Sequence, residues 1–379
     1  MSHVFGDCYR GQRVLITGHT GFKGSWLAEW LLELGAEVIG YSLPPPTSPA
    51  LFRQLGLERR LRHVPGDVRD PAALAGIVRE TMPAYVFHLA AQPIVRTSYA
   101  QPMETYATNV MGTVHLLEAV RQAGGACAVV VVTSDKCYEN RERGQAYREE
   151  DPLGGHDPYS SSKGCAELVV SAYRRSFFSA PASPVQLASA RAGNVVGGGD
   201  WAVDRIVPDC IRALQRGEPI AVRNRSAARP WQHVLEPLSG YLWLGACLAR
   251  PELAPGGSRP PAAAFNFGPP LASIRPVEAL VEEVLRRWPG RWEDRSDSRA
   301  VHEDAYLSLA VDKAYQVLGW RPVWDFAASI QQTVDWYRTA AEGERGTEFN
   351  PRARASTREQ IARHQSDALA QGRPWISAA

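Results

Sequence analysis

Three neighbouring residues with hydroxyl, acidic and basic side chains directly follow a very apolar stretch near the middle of the chain. The stretch AVVVVT ends at Thr133, and Ser134, Asp135 and Lys136 come next. Such a triplet offers a hydrogen-bond donor, a general acid and a general base side by side. The same residues would also fit a surface loop with an ordinary Asp–Lys pair. The triplet is therefore a candidate catalytic centre that needs support from its surroundings.

A tyrosine and a lysine lie four residues apart further along the chain. Tyr159 and Lys163 bound the sequence YSSSK, and in a helix this spacing places both side chains on one face. A phenol has an ordinary pKa of about 10, and a nearby ammonium group favours its ionised form. The pair could therefore take a proton from a hydroxyl group as hydride leaves the carbon that bears it. The YxxxK pattern is common by chance, so it carries weight only beside other motifs.

A glycine-rich turn near the amino terminus supplies such a motif. Arg13–Thr17 (RVLIT) is typical of a buried strand, and GSWLAEWLLELG after the turn is typical of a helix. Between them Gly18, Gly21, Phe22 and Gly24 form a GxxGxxG loop. Glycines permit a tight turn and close approach to a pyrophosphate, and the helix start supplies N–H donors. The turn predicts a dinucleotide-binding loop.

Two further segments fit the same cofactor. Asp67 and Val68 in GDVRD follow the third strand, with Asp67 placed for an adenine amino group, and Leu89, Ala90 and Ala91 end the next strand with small side chains. The second strand ends in GYSL, with neither an acidic residue for the ribose hydroxyls of NAD nor an arginine for NADP. These residues favour NAD only moderately.

The elements that must position these residues alternate regularly through the first half of the chain. Strands and helices that alternate, with strands apolar on both faces, predict an α/β fold with a doubly wound parallel Rossmann sheet. Besides the first strand, the expected elements are the strands Glu37–Tyr41, Tyr85–Leu89 and Ala128–Thr133 and the helices Pro71–Glu80 and Thr105–Gln122.

The pattern changes beyond about residue 190, where Gly- and Pro-rich stretches interrupt shorter elements. We expect residues 1–190 to form the NAD-binding domain and residues 191–343 a smaller, largely C-terminal substrate-binding lobe, with about 225–270 returning to the sheet. Residues 344–379 read as a polar tail. There Ser356 and Glu359 have the spacing of a capping box for one short surface helix.

Composition narrows the class of protein. The 379 residues carry a formal net charge of +2, which argues against nucleic acid or an anionic membrane as the main partner. Six cysteines without a CxxC pair, no signal-peptide pattern and no apolar run of roughly 20 residues indicate a cytoplasmic enzyme. The nine histidines lack metal-ligand spacing, so we expect no metal. Only four of 42 basic residues are lysines, and Lys23, Lys136 and Lys163 all lie in motifs. A codon bias towards arginine accounts for most of the scarcity, but a lysine retained in a motif also fits a need for an ammonium group.

The motifs together resemble the extended short-chain dehydrogenase/reductase family, and within it the CDP-glucose 4,6-dehydratases. The similarity runs from about residue 13 to 337, and Lys136 stands where related dTDP-glucose dehydratases carry glutamate. It is carried by the segments GHTGFKGSWL, HLAAQPIVRTSY, TSDKCYEN, PYSSSKGCAEL, RAGNVVGGGDW and RPWQHVLEPLSGYL.

The resemblance implies a redox-neutral elimination. Tyr159, assisted by Lys163 and Ser134, oxidises the C4 hydroxyl of the hexose while NAD takes the hydride. Lys136 then removes the C5 proton, and Asp135 protonates the departing C6 hydroxyl. Hydride return to C6 gives CDP-4-keto-6-deoxyglucose, for deoxysugar and O-antigen (lipopolysaccharide) biosynthesis. The resemblance also implies a homodimer or homotetramer built through the helices near Thr105–Gln122 and Tyr159–Phe178.

Substrate contacts are expected from several polar residues. Gln92 and Arg96 are expected to line the sugar pocket, and Asn194 to lie beside the diphosphate and hexose. Arg205 and Arg229 are candidates to bind the phosphates, since guanidinium matches phosphate oxygens. His302 is expected to lie near the nucleotide. Either phosphate-binding arginine would equally fit a solvated surface charge.

Three other functions compete with this one. A sugar-nucleotide 4-epimerase needs Tyr159 and Lys163 but no elimination pair, so Asp135 and Lys136 argue against it. A 4,6-dehydratase for GDP-mannose or dTDP-glucose is disfavoured by Lys136. A non-catalytic nucleotide-binding protein has no need of the intact catalytic set.

Overall fold

Strands and helices alternate through the first half of the chain. The computed structural model describes residues 2–141, 144–180, 183–257, 262–296, 307–342 and 348–378. The strands within them are β1 (Ser2–Val4), β2 (Arg13–Thr17), β3 (Glu37–Ser42), β4 (Arg62–Pro65), β5 (Tyr85–His88), β6 (Cys127–Val132), β7 (Val185–Ala192), β8 (Val195–Val196), β9 (Ile220–Val222), β10 (Ala228–Pro230), β11 (Gln232–His233), β12 (Ala264–Phe267), β13 (Ile274–Pro276), β14 (Trp292–Asp294) and β15 (Ile376–Ala378).

The α-helices account for most of the remaining regular structure. A π-helical segment, Ala107–Met111, joins two of them, so the predicted helix Thr105–Gln122 is present with a wider turn at its start. The helices are α1 (Phe22–Glu33), α2 (Leu51–Gln54), α3 (Pro71–Thr81), α4 (Val95–Ala100), α5 (Pro102–Tyr106), α6 (Gly112–Ala123), α7 (Pro158–Phe177), α8 (Ile206–Arg216), α9 (Leu235–Ala249), α10 (Val277–Arg287), α11 (Asp312–Leu318), α12 (Phe326–Ala341) and α13 (Pro351–Ala370).

A seven-stranded parallel sheet forms the centre of the molecule. Its strand order is β12-β7-β6-β5-β2-β3-β4, and every pairing is parallel. All six residues of β6 are buried, because helices cover both faces of the sheet. The sheet confirms the predicted doubly wound fold.

Two apolar cores lie on opposite faces of this sheet. One contains residues from α3, α6 and α7, and the other contains residues from α1, α9 and α12, including the fully buried Trp26, Trp30 and Trp336. With both faces filled, the carboxyl edge of the parallel strands is where polar side chains gather, as in other open α/β sheets.

The residues after β7 build shorter pairs beside that edge. β8 pairs with β11 and β9 with β14 in parallel, whereas β10 pairs with β13 antiparallel. Two later elements return to the large sheet: β12 adds to its edge beside β7, and α9 packs against it.

The last helix differs from the expected surface element. α13 begins at Pro351, and the Asn350 side chain accepts from the backbone N–H groups of Arg352 and Ala353. Ser356 lies inside the helix and is buried, so the predicted capping box is wrong: Asn350 and Pro351 already satisfy the helix start. The helix is 20 residues long and buries one face against the molecule.

Within the described ranges, no helix is both long and apolar enough to cross a membrane. The same part of the chain holds no cluster of three or more His, Cys, Asp or Glu side chains that could hold a metal ion. All six cysteines are free thiols.

Candidate active site

The glycine loop leaves β2 and enters α1 at the carboxyl edge of the sheet. Gly18 has a φ of +78°, and a Cβ on it would lie 2.7 Å from the backbone nitrogen of Ala90. A Cβ on Gly24 would lie 2.2 Å from the carbonyl oxygen of Gly18. Gly21, the N-cap of α1, has no side-chain cap bond, so no side chain occupies the helix start. Positions that only glycine can occupy and a helix start whose N–H groups have no side-chain cap suit the binding of a dinucleotide pyrophosphate.

The other predicted cofactor residues surround this loop. Leu89, Ala90 and Ala91 follow β5 and are partly buried. Asp67 accepts hydrogen bonds from the Arg69 backbone and guanidinium, which lower the pKa of its carboxyl. Val68 is buried, and its side chain fills the space above Gly112. These residues thus follow the carboxyl ends of strands in the same sheet, as the loop does.

β3 ends at Ser42, whose hydroxyl pairs with that of Thr20 in the glycine loop, so no charged group stands at this strand end. Thr20 Oγ1 lies 2.8 Å from Ser42 Oγ and donates to the Leu43 carbonyl oxygen at 2.9 Å. The neutral pair offers neither the carboxylate of many NAD sites nor the cation of many NADP sites.

The candidate catalytic triplet follows β6 after Thr133, with Ser134 as the N-cap of a short 3₁₀ turn that begins at Asp135. Ser134 caps the turn: its Oγ accepts from the Lys136 N–H at 3.2 Å and donates to Asp135 Oδ1 at 2.9 Å. Hydrogen bonds among the three residues therefore fix the conformation of the turn.

Asp135 is a buried carboxyl with one free oxygen. Its exposed fraction is 3%, and Oδ2 has no hydrogen-bond partner. Burial raises the pKa of this carboxyl against the opposing effects of Lys136 and Ser134. A Cβ on Gly193 would lie 2.4 Å from Oδ2, so glycine at that position makes room for the group. The arrangement favours a protonated carboxyl that can donate.

Lys136 is partly buried beside Asp135. Its charge is near enough to oppose the rise in the pKa of the Asp135 carboxyl. The side chain is thus partly enclosed beside Asp135 and not in bulk solvent.

Tyr159 and Lys163 face the triplet from the first turns of α7. The Asp157 side chain caps this helix by accepting from the Ser160 N–H at 3.0 Å. Lys163 Nζ lies 6.0 Å from the centroid of the Tyr159 ring. Burial raises the pKa of Tyr159 to about 12, opposed by a hydrogen bond with Ser134 and the charge of Arg205. Burial lowers the pKa of Lys163 to about 8.

Lys23 is a site residue to which the sequence motifs assigned no role. Its Nζ lies 6.0 Å from the centroid of the Tyr241 ring. Burial and then the charges of Arg205 and Lys163 lower its pKa to about 7, while Asp135 opposes them. The scarcity of lysine in the chain was the one sequence signal for it.

Two of the predicted sugar-pocket residues have partners within the protein. The Gln92 amide donates to Thr105 Oγ1 at 3.0 Å and accepts from the Ile94 N–H at 2.6 Å, so it supports the segment that enters α4. Arg96 is exposed and pairs with Asp204 at 3.4 Å.

The remaining substrate candidates lie on the later elements. Arg205, at the N-cap of α8, pairs with Asp200 at 2.9 Å and stands near enough to Tyr159 to lower its pKa. Arg229 on β10 is buried, and its charge reaches Asp135. Asn194 is partly buried between β7 and β8. His302 lies outside the described residues.

Comparisons with known proteins show the family of the chain. The family model described as GDP-mannose 4,6 dehydratase matches residues 15–244. The CDP-glucose 4,6-dehydratase of Salmonella typhimurium is 48% identical over 89% of this chain and 93% of its own length.

Solved structures agree on the fold. A dTDP-glucose 4,6-dehydratase from Streptomyces venezuelae with NAD bound has a TM-score of 0.71 and 27% identity over 86% of this chain and 97% of that one. A UDP-glucose 4-epimerase from Thermotoga maritima has a TM-score of 0.74 at 21% identity, over 86% and 98% of the two chains. With a family model across more than half of its length and a 48% identical relative across most of it, the chain belongs to the GDP-mannose 4,6-dehydratase family.

Proposed function

We propose that this protein is an NAD-dependent CDP-glucose 4,6-dehydratase. The observation that carries the proposal is the meeting of two catalytic pairs, Tyr159 with Lys163 and Asp135 with Lys136, at one edge of the sheet. The relative that is 48% identical bears the same activity in its name, and a solved relative holds NAD. Held by the glycine loop of Gly18, Gly21 and Gly24, NAD would supply the acceptor for the hydride from the sugar C4 and the donor of the hydride to C6.

The first pair handles the proton of the C4 hydroxyl. Tyr159 accepts it at its phenolic oxygen, with Ser134 and Arg205 favouring the phenolate against the effect of burial. Lys163 stands behind the ring as a cation. Burial of the pair keeps water from competing for the proton.

The second pair expels the C6 hydroxyl. A ketone at C4 acidifies the C5 hydrogen, and Lys136 removes that proton at its amine. Asp135 donates the proton held on its carboxyl to the departing hydroxyl, which leaves as water. The unpartnered, buried Oδ2 is the atom suited to this donation, because burial raises the pKa of the carboxyl and so favours its protonated form. An epimerase needs no such group.

We also propose that two copies pair through α5, the π-helical segment and α7. Tyr106 donates to Ser161 at 3.1 Å, so these elements form one surface. That surface exposes several large apolar side chains: Met103 (86% exposed), Met111, Leu168 (59% exposed) and Phe177. A second copy would cover them in a symmetric contact.

The six free thiols fit a reducing cytoplasm.

Mass spectrometry with CDP-, dTDP-, UDP- and GDP-hexoses tests the activity. We expect loss of one water from CDP-glucose alone. Lys136→Ala should slow the elimination by about a hundred-fold or more, because it removes the base, while NAD stays bound. The matched control is Lys313→Ala, which removes a lysine paired with Glu150 instead. Turnover of another hexose in place of CDP-glucose, or full speed in Lys136→Ala, would contradict the proposal.

A further inference from the structure

A buried carboxylate lies one helical turn beyond Lys163 on α7. Glu167 has an exposed fraction of 3%, and it accepts three hydrogen bonds: from Thr133 Oγ1 at 2.5 Å, Ser189 Oγ at 2.8 Å and Arg191 Nη2 at 2.7 Å. Thr133 directly precedes the catalytic triplet, whereas Ser189 and Arg191 belong to β7. One side chain therefore ties the catalytic helix to the ends of two neighbouring strands.

The network continues from Arg191 to the far side of the triplet. Arg191 Nη1 donates to Tyr138 Oη at 2.7 Å and to the Glu149 carbonyl oxygen at 3.1 Å. Tyr138 in turn donates to Asn266 Oδ1 on β12 at 2.7 Å. Tyr138 follows the triplet by two residues, as Thr133 precedes it by one. Both ends of the catalytic turn are thus held by the same ion pair.

We propose that Glu167, together with Arg191, is a positioning residue that sets Ser134, Asp135 and Lys136 against Tyr159 and Lys163. A rigid link is needed because the two pairs come from different elements and must act on adjacent carbons of one sugar. Hydrogen bonds from charged groups in a buried site supply that rigidity. The inference rests on the proposed dehydratase activity, which uses both pairs in a single turnover.

The charge of Glu167 also reaches the catalytic lysine. Burial disfavours the ionised carboxyl, but Arg191 and the other donors outweigh burial and lower its pKa, so Glu167 is an anion. Burial lowers the pKa of Lys163 to about 8, opposed by Cys137 and by Glu167. The groups near Lys163 are Lys23 of α1, His88 of β5, Cys137 of the catalytic turn, and Tyr159 and Glu167 of its own helix.

Loss of the Glu167 charge should therefore lower the pKa of Lys163. His88 is neutral at working pH, because burial lowers its pKa to about 3, and Lys23 opposes the ammonium form of Lys163. Without the carboxylate, burial acts on Lys163 with less opposition. Lys163 then loses its proton at a lower pH, and activity that needs the ammonium is lost at a lower pH as well.

The test compares Glu167→Gln with the double variant Glu167→Gln/Arg191→Met. The double variant removes the unpaired buried guanidinium that the single change leaves behind, so it preserves folding. In both variants we expect kcat for CDP-glucose to fall about ten- to a hundred-fold with little change in KM. The alkaline limb of the kcat–pH profile should move down by about one pH unit in Glu167→Gln. It should move less in the double variant, because loss of the Arg191 cation partly offsets loss of the carboxylate.

Three companion measurements separate position from charge and from folding. Thr133→Val removes one anchor and keeps the charge, so kcat should fall without a shift of the alkaline limb. Glu236→Gln, which alters a buried carboxylate bonded to Val323 and Trp324, should lower thermal stability and leave the kcat–pH profile in place.

Wild-type enzyme that fails to dehydrate CDP-glucose would refute the proposed function. Active wild type with an unchanged kcat and profile in the double variant would refute the role of Glu167.

Discussion

Asp135 and Lys136 are neighbours in the chain with opposite requirements. The acid must hold a proton until the hydroxyl leaves, and the base must be free to take one. Burial differs between them: Asp135 is almost fully enclosed, whereas Lys136 is partly buried. Burial of Asp135 raises the pKa of its carboxyl and so favours the protonated form that the acid role needs.

Replacement of Asp135 by asparagine tests its role as the acid. Asp135→Asn keeps the shape of the side chain and removes the proton that it donates. We expect elimination to slow by about 10²- to 10⁴-fold, while oxidation at C4 by Tyr159 continues. Reduced cofactor should then accumulate, measured by its near-ultraviolet absorbance after mixing with CDP-glucose.

The control for this variant is Asp312→Asn on the exposed start of α11. It should behave as wild type. Product formation at the wild-type rate in Asp135→Asn would remove the carboxyl from the mechanism.

Sequence motifs could predict the candidate catalytic residues but not the residues that support them. The structure brings Ser134, Tyr159 and Lys163 together because each follows a strand or starts a helix with a readable sequence pattern. Gln92 differs, since its amide is used inside the protein. Glu167 has no motif of its own, because its role depends on contacts with distant strands that no local pattern encodes.

At the level of elements, the unit of β2, the glycine loop and α1 is built around close backbone contact. Gly24→Ala should prevent cofactor binding, because the added methyl would lie 2.2 Å from the Gly18 carbonyl oxygen. We expect purified Gly24→Ala to contain no NAD and to show no rise in Tm when NAD is added.

Gly76→Ala is the matched control, since a Cβ there meets nothing within 4 Å. It should keep its NAD and gain about 0.5–1 kcal/mol of stability from better helix propensity. Normal NAD content in Gly24→Ala would show that the loop tolerates a side chain at this point.

Element bounds followed from the sequence where a strand or helix is amphipathic or wholly apolar. β2 begins and ends as predicted, β3, β5 and α3 differ by one residue at one end, and β6 is shifted by one residue at both ends. α13 was predicted poorly, because Ser356 and Glu359 have capping-box spacing inside a helix that Asn350 had already started. The division of the chain into lobes stays a prediction.

At the scale of the whole molecule, the exposed apolar surface of α5 and α7 predicts a dimer. Met103→Glu/Leu168→Asp places two negative charges on this surface, so two copies should no longer pair. We expect wild type to elute as a dimer or larger assembly and the variant as a monomer, measured by size-exclusion chromatography with light scattering.

Leu271→Asp serves as the control, since it changes an equally exposed leucine on another surface. It should leave the assembly intact. A wild-type monomer, or an unchanged mass in the double variant, would contradict pairing through these helices.

Residues 351–378 cover the helix that carries the cofactor loop. Arg358 of α13 bonds to Glu33 of α1 across a separation of 325 residues, and Trp375 stacks on Phe5 beside Trp30. During synthesis on the ribosome, the part of α1 that packs on α13 therefore stays uncovered until residues 351–378 have emerged. We expect unfinished chains to expose this surface, and exposed apolar surface makes such chains prone to aggregate.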